Sequence, residues 1–106
     1  MAAALAIRAA KSKRVREVIL ELLQMEYPQF LDEKVLFYAL DDLGLTLLKQ
    51  DFDAQMQYLC EKGYVRREER GVKDLKVVLY GLTAFGMDVL EGTREDGGIG
   101  VGEKDL

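Results

Sequence analysis

The chain has 106 residues, of which 49% are hydrophobic and 32% charged, with 15 basic and 19 acidic side chains, no histidine and one cysteine. This length suits one domain with a single core, and the composition is typical of a soluble globular chain. No apolar run approaches the roughly 20 residues needed to span a bilayer. A single cysteine cannot form an internal disulfide, so we expect a cytoplasmic protein.

The first 26 residues predict a basic arm followed by a helix. Residues 1–12 are alanine-rich and form an arm or a helical extension, too short in its apolar part for a signal peptide. Ser12 is a possible N-cap for the helix that follows. From Lys13 to Glu26, apolar residues recur at helical spacing: Val15, Val18, Ile19, Leu22 and Leu23. Pro28 ends this helix, because the residue before a proline avoids helical geometry.

Two more helices follow, separated by a short turn. Asp32 is a fair N-cap for the first of them, whose apolar stripe is Val35, Leu36, Ala39, Leu40 and Leu43. The segment 44–47 makes the turn, in which Gly44 allows a tight bend. The next helix, 48–62, has Phe52, Met56 and Leu59 on one face and Gln50, Asp53, Ala54, Gln57 and Glu61 on the other. Gly63 is placed to close it.

The remaining segments predict a hairpin, a closing helix and a tail. Residues 64–69 and 75–80 read as strands around a turn at 70–74 that contains Gly71, with Val65, Val77 and Leu79 toward the core. Thr83 caps a helix in which Gly86 permits close packing and which Gly92 stops. Residues 93–106 are glycine-rich and charged, so we expect a flexible tail. The predicted fold class is mainly α with a small β-hairpin (α+β), its domain at 13–92.

Nothing in the sequence indicates catalysis. There is no histidine, no nucleophile beside a base and no glycine-rich phosphate loop. The adjacent Asp41 and Asp42 point about 100° apart on a helix, and no third carboxylate is spaced to complete a metal site. We therefore expect no enzyme activity, no cofactor and no metal.

The charge is unevenly distributed along the chain. Residues 1–16 carry a net charge of +5, residues 17–63 of −7, residues 64–80 of +2 and residues 81–106 of −4. The net negative charge argues against tight nonspecific binding of nucleic acid, although the arm and the hairpin are basic. A solvated helix surface would explain the same pattern.

Several of these segments together resemble a known superfamily. The run Leu59-x-x-x-Gly63-Tyr64-Val65, a hairpin and then Leu82-Thr83-x-x-Gly86 is similar to the end of many bacterial winged helix-turn-helix regulators. Residues 13–101 look like a small winged-helix family of Mu-like prophages. The resemblance implies three helices, a two-stranded wing and a C-terminal helix, in a prophage-encoded DNA-binding transcription regulator. One departure is that Leu48 stands where such regulators often carry a capping Ser or Thr, and acidic residues follow it.

Two function classes stay open. As a sequence-specific regulator, possibly dimeric through its apolar segment 2–10, the chain would place Lys49, Gln50, Asp53 and Gln57 in the major groove of double-stranded DNA. Its phosphate contacts would then come from Lys11, Lys13, Arg14, Arg66, Arg70, Lys73 and Lys76. As a protein–protein interaction module, it would instead dock its acidic helix face on a protein partner.

Overall fold

The computed structural model describes residues 2–100. They form α1 (Ala2–Glu26), β1 (Leu31–Asp32), α2 (Glu33–Asp42), α3 (Lys49–Glu61), β2 (Val65–Val72), β3 (Leu75–Leu82) and α4 (Ala84–Glu91). Within this part of the chain, four helices accompany a three-stranded antiparallel sheet of order β1-β3-β2. The α+β class predicted from the sequence is confirmed. Within the same residues, no helix combines the length and the apolar character needed to cross a bilayer.

The first helix is continuous from the arm into the core. Ser12 therefore lies inside α1 and does not cap it, and its hydroxyl accepts a hydrogen bond from Gln55 Nε2 at 3.3 Å. Residues 2–11 are exposed along their whole length. The second half of the helix supplies five buried apolar residues to the core: Val15, Val18, Ile19, Leu20 and Leu23. The helix ends two residues before Pro28, as predicted.

Helices α2 and α3 begin and pack largely as their sequences predict. The Asp32 carboxylate accepts from the backbone amides of Lys34 at 2.7 Å and Val35 at 3.3 Å, so it is the N-cap of α2. Gly44 has φ +83° in the turn between the two helices. The predicted core face of α3, Phe52, Met56 and Leu59, is fully buried. Val35 and Leu43, expected on the apolar stripe of α2, are instead exposed.

The hairpin is longer and tighter than predicted. Pairing continues to Val72 and Leu75, so the turn is only Lys73 and Asp74, and Gly71 lies in the strand opposite Lys76. Lys73 takes the left-handed conformation, with φ 57°. The turn therefore lies within the predicted range 70–74 but begins three residues later, and Gly71 is not part of it. The two strands are paired up to Val72 and Leu75, the residues that flank the two-residue turn.

The register also reverses the predicted faces of β3. Val65 pairs with Leu82 and the next residue on that face, Arg67, pairs with Tyr80. Opposed residues of an antiparallel pair share one face, so Tyr80 and Leu82 are buried, while Val77 and Leu79 lie on the other face. The short strand β1, absent from the prediction, pairs Leu31 with Tyr80 and adds a third strand to the expected two.

The closing helix and the segment after it are both anchored. Thr83 Oγ1 accepts from the Gly86 amide at 3.1 Å and donates to the Gly63 carbonyl at 2.6 Å, and Gly92 ends α4 with φ 80°. Residues 93–100, here named the C-terminal strap, return to α1, where the Gly100 amide donates to the Lys13 carbonyl at 3.2 Å. Ile99 is only 3% exposed. Asp96, Gly98, Ile99 and Gly100 are at least partly buried, whereas residues 93–95 and Gly97 are exposed. The rest of the predicted flexible tail, 101–106, lies outside the described residues.

Candidate nucleic-acid interface

Helix α3 presents a polar face between two flanking elements. Gln50, Ala54 and Gln57 are exposed on this face. On one side, Gln55 accepts a hydrogen bond from Arg16 Nε of α1 at 2.6 Å. Asp53 lies about 200° from Gln55 around the helix and borders the hairpin on the other side. The exposed face of α3 is therefore flanked by α1 and by the hairpin.

Four of the predicted site residues meet at the hairpin side. Lys49, Asp53, Gln57 and Arg66 line one open groove of about 610 Å³ between α3 and the sheet. Seven further residues that sequence reasoning did not assign to the site complete its lining: Glu33, Met56, Cys60, Val65, Arg67, Val78 and Tyr80. Arg67 could have been found from strand alternation, since it lies two residues beyond the buried Val65. Glu33 of α2 and Tyr80 of β3 reach the groove through tertiary packing, which leaves no local signal in the sequence.

Lys49 is held by two carboxylates. Its ammonium donates to Asp53 Oδ1 one turn further along α3, and its Nζ lies 3.7 Å from Glu33 Oε1 of α2. The hydrogen bond from Lys49 to Asp53 is the main reason that the pKa of Lys49 is raised, and the charge of Glu33 adds to it. Asp53, which would repel a phosphate backbone by itself, is thereby partly neutralised. Lys49 and Asp53 act as a pair in this groove.

The floor of the groove contains two groups whose ionisation is suppressed by burial. Burial raises the pKa of the Cys60 thiol, and the charge of Arg67 opposes this change. Burial also raises the pKa of the Tyr80 phenol, whose hydroxyl donates to Glu33 Oε2 at 3.4 Å. Both groups are consequently neutral near pH 7. The charge of the groove comes from its lysine, arginine and carboxylate side chains alone.

The cations of the hairpin have acidic neighbours on the same strand. Arg70 donates to Glu68 Oε2 at 3.1 Å, and Arg66 lies 3.9 Å from Glu68 Oε1. Arg67 donates to Glu69 Oε1 at 2.9 Å. Lys73 and Lys76 are exposed beside the tip. The basic charge of the hairpin is therefore concentrated toward its tip, while its base is close to neutral.

The predicted phosphate contacts on α1 divide into two kinds. Lys11 and Lys13 are exposed, whereas Arg14 donates to Glu17 Oε1 at 2.6 Å. Glu17 is 5% exposed, so Arg14 compensates a buried carboxylate. Arg16, which the sequence analysis left out of the site, stacks 3.8 Å from the Tyr58 ring centroid and donates to the Gly98 carbonyl at 3.0 Å. Arg16 joins α1, α3 and the C-terminal strap.

The two glutamines of the exposed face can supply base recognition. A glutamine amide carries a donor and an acceptor that together match the N6 and N7 edge of adenine in the major groove. Gln57 Nε2 donates to Glu61 Oε1 at 2.9 Å with one of its two N–H groups, so a base contact would use the other N–H and the amide oxygen. Gln50 is exposed about two turns nearer the start of α3.

Neither metal-binding groups nor similarity to known proteins gives further information on this surface. Among residues 2–100, no group of three or more Cys, Asp or Glu side chains is arranged to hold a metal ion. No protein-family model, curated protein or solved structure matches the chain. The resemblance to winged-helix regulators and to the Mu-like prophage family therefore stays a prediction from its motifs.

Proposed function

We propose that this chain is a winged helix-turn-helix protein that binds double-stranded DNA in a sequence-specific manner, as a transcription regulator. The order of its elements supports the proposal: α2, a turn with Gly44, and α3 are followed by the antiparallel hairpin β2–β3. In such a domain α3 enters the major groove and the hairpin follows the phosphate backbone.

The observation that carries the proposal is the exposed polar face of α3, which lies between α1 and the hairpin. Gln50 and Gln57 lie on this face, and the two neighbouring elements carry exposed cations, Lys11 and Lys13 on α1 and Lys73 and Lys76 at the hairpin tip. In DNA recognition, phosphate contacts position the protein and base contacts specify the sequence. The glutamine amides of α3 can supply the base contacts, and the cations of the neighbouring elements can supply the phosphate contacts.

The test is the affinity of the full chain for a duplex taken from its own genomic neighbourhood and for a random duplex, by fluorescence anisotropy at two salt concentrations. We expect tighter binding to the first duplex and weaker binding to both as salt rises. Replacing Gln50 and Gln57 together by Ala should reduce the preference by about 10-fold or more, because a bidentate base contact contributes about 1–3 kcal/mol. Gln29→Ala, at an exposed glutamine outside α3, is the matched control.

A second function, docking on a protein partner, is favoured by the pairing of the cations. Lys49, Arg66 and Arg70 all have carboxylates within 4.0 Å, and Asp51 and Glu61 add negative charge to the exposed part of α3. Under this alternative the folded protein binds neither duplex even at low salt. That outcome would reject the DNA-binding proposal and leave the acidic face of α3 as the surface to study.

A further inference from the structure

The first ten residues of α1 extend beyond the buried part of this helix. Residues 2–11 are all exposed, although eight of these ten residues are apolar. Leu5 and Ile7 are each 60% exposed. This segment, here named the N-terminal arm, extends an apolar surface away from the domain.

The charges of α1 are arranged in the reverse of the order that stabilises a single helix. Residues 1–16 hold five basic side chains and no acidic one, whereas residues 17–26 hold three acidic side chains and no basic one. The helix dipole favours acidic residues near the start and basic residues near the end. The stability of α1 alone therefore does not explain this arrangement. A second α1 running antiparallel would place each basic half against an acidic half.

An acidic groove lies beside the second half of α1. It measures about 740 Å³, and α1, the end of α4 and the C-terminal strap form its walls. Val89 and Leu90 contribute apolar surface, and Glu21, Glu91 and Glu95 contribute carboxylates. Arg94 also lines it and stacks 4.5 Å from the Phe85 ring centroid. The groove therefore combines an apolar lining with a net negative charge.

The arm and the groove are complementary in apolar surface and in charge. Ile7 and Lys11 are four residues apart, so one face of the arm carries an apolar side chain followed by a cation. The arm cannot reach the groove of its own chain, because α1 is one continuous helix of 25 residues, roughly 37 Å long, and the arm points away from its acidic half. A groove that accepts the face of an amphipathic helix is a recurring docking mode.

We propose that two copies of this chain form a dimer in which the N-terminal arm of each copy lies in the acidic groove of the other. The exchange is reciprocal about a two-fold axis, so that both arms are covered and both grooves are filled. The apolar residues of the arm contact the lining around Val89 and Leu90. Arg8 and Lys11 contact the carboxylates of Glu91 and Glu95, so that in the dimer the phosphate contact of α1 comes from Lys13. This inference does not depend on DNA binding.

The test uses sedimentation equilibrium of the full chain and two charge-reversed variants. The arm variant carries Arg8→Glu and Lys11→Glu, and the groove variant carries Glu91→Lys and Glu95→Lys. Each should weaken the dimer by at least about tenfold, because like charges then face each other. An equimolar mixture should regain a dimer, since in the mixed pair each arm meets a groove of opposite charge.

Two controls carry the same changes in net charge elsewhere: Lys73→Glu with Lys76→Glu, and Asp42→Lys with Asp74→Lys. Both should leave the dimer intact. A wild-type chain that stays monomeric at the highest concentrations reached would overturn the proposal. So would a groove variant that dimerises as the wild type does, because the arm would then pair with something other than the groove. Circular dichroism of each variant distinguishes a lost contact from a lost fold.

Discussion

At the scale of single residues, Asp96 organises the C-terminal strap. Its carboxylate accepts from the Tyr64 hydroxyl at 2.6 Å and from the Gly98 amide at 2.7 Å, and Lys62 Nζ lies 3.8 Å away. Burial by itself would raise the pKa of Asp96. The hydrogen bonds from Tyr64 and Gly98, with the charges of Lys62 and Arg16, outweigh burial and lower it. The ionised carboxylate therefore stabilises the folded state.

This lowered pKa predicts a dependence of stability on pH. The contribution of Asp96 is complete above the pKa of an unfolded aspartate, about 3.9, and disappears as the pH falls through the lower pKa of the folded state. At pH 7 we expect Asp96→Asn to reduce the free energy of unfolding by about 1–2 kcal/mol. In urea titrations, the difference in the free energy of unfolding between wild type and Asp96→Asn should shrink as the pH falls from about 5 to about 3.

Asp42→Asn is the control for this pH effect, because Asp42 is exposed and lies outside both grooves. It should change stability by no more than about 0.5 kcal/mol at either pH. A constant difference between wild type and Asp96→Asn across the whole range would show that the loss comes from packing and not from the charge of Asp96.

At the scale of elements, α4 packs on the turn after α3 through a glycine. A Cβ atom added to Gly86 would lie 2.4 Å from the Tyr64 carbonyl oxygen and 2.5 Å from Leu82 Cδ1. Both atoms belong to buried residues, so neither has room to move. The close approach of α4 to the domain therefore requires glycine at this position, in agreement with the role predicted for Gly86 from the sequence.

We expect Gly86→Ala to destabilise the protein by about 1–3 kcal/mol through overpacking, although alanine would otherwise favour a helix by about 1 kcal/mol. Thermal and urea unfolding measure this change. Gly97→Ala is the matched control, since a Cβ there meets no atom within 4 Å. If both substitutions had the same small effect, α4 could move away from the turn without loss, and the packing role of Gly86 would be refuted.

Local patterns predicted the elements well and their long-range pairing poorly. The spacing of Phe52, Met56 and Leu59 was sufficient to place the core face of α3, because a helix has its own period. The register of β3 and the existence of β1 depend on partners such as Leu31 and Tyr80, which are far apart in the chain. A strand shifted by one residue exposes the opposite face, and no local pattern fixed that shift.

The contacts of the C-terminal strap could not be predicted from its composition. Its glycines indicated flexibility, but a Cβ at Gly98 would lie 2.0 Å from the Tyr58 hydroxyl oxygen, and one at Gly100 would lie 2.8 Å from Glu17 Oε1. These glycines allow the strap to approach α1 and α3 closely. In the candidate interface, the positions of Gln50 and Gln57 followed from helical period, whereas the pairing of Lys49 with Glu33 required the folded structure.

At the scale of the whole molecule, a net charge of −4 opposes association with DNA. Any binding must therefore rely on the local positive potential of the flanks of α3. The hairpin tip is the clearest such region, because Lys73 and Lys76 are exposed at or beside the two-residue turn, while Arg70, further from the turn, donates to Glu68. Contacts of these cations with phosphates would release counterions and make the affinity dependent on salt.

The salt dependence gives a quantitative prediction for the DNA-binding proposal. Each phosphate contact contributes about 0.9 to the slope of log affinity against log salt concentration. Replacing Arg70 and Lys73 together by Ala should therefore reduce the magnitude of the slope by nearly two, roughly equally for specific and random duplexes. Val72→Ala with Leu75→Ala changes the same tip without changing its charge and should leave the slope as it is. An unchanged slope in the charge variant would mean that the tip does not contact phosphate, and the cations of α1 would then have to supply the electrostatic part of the affinity.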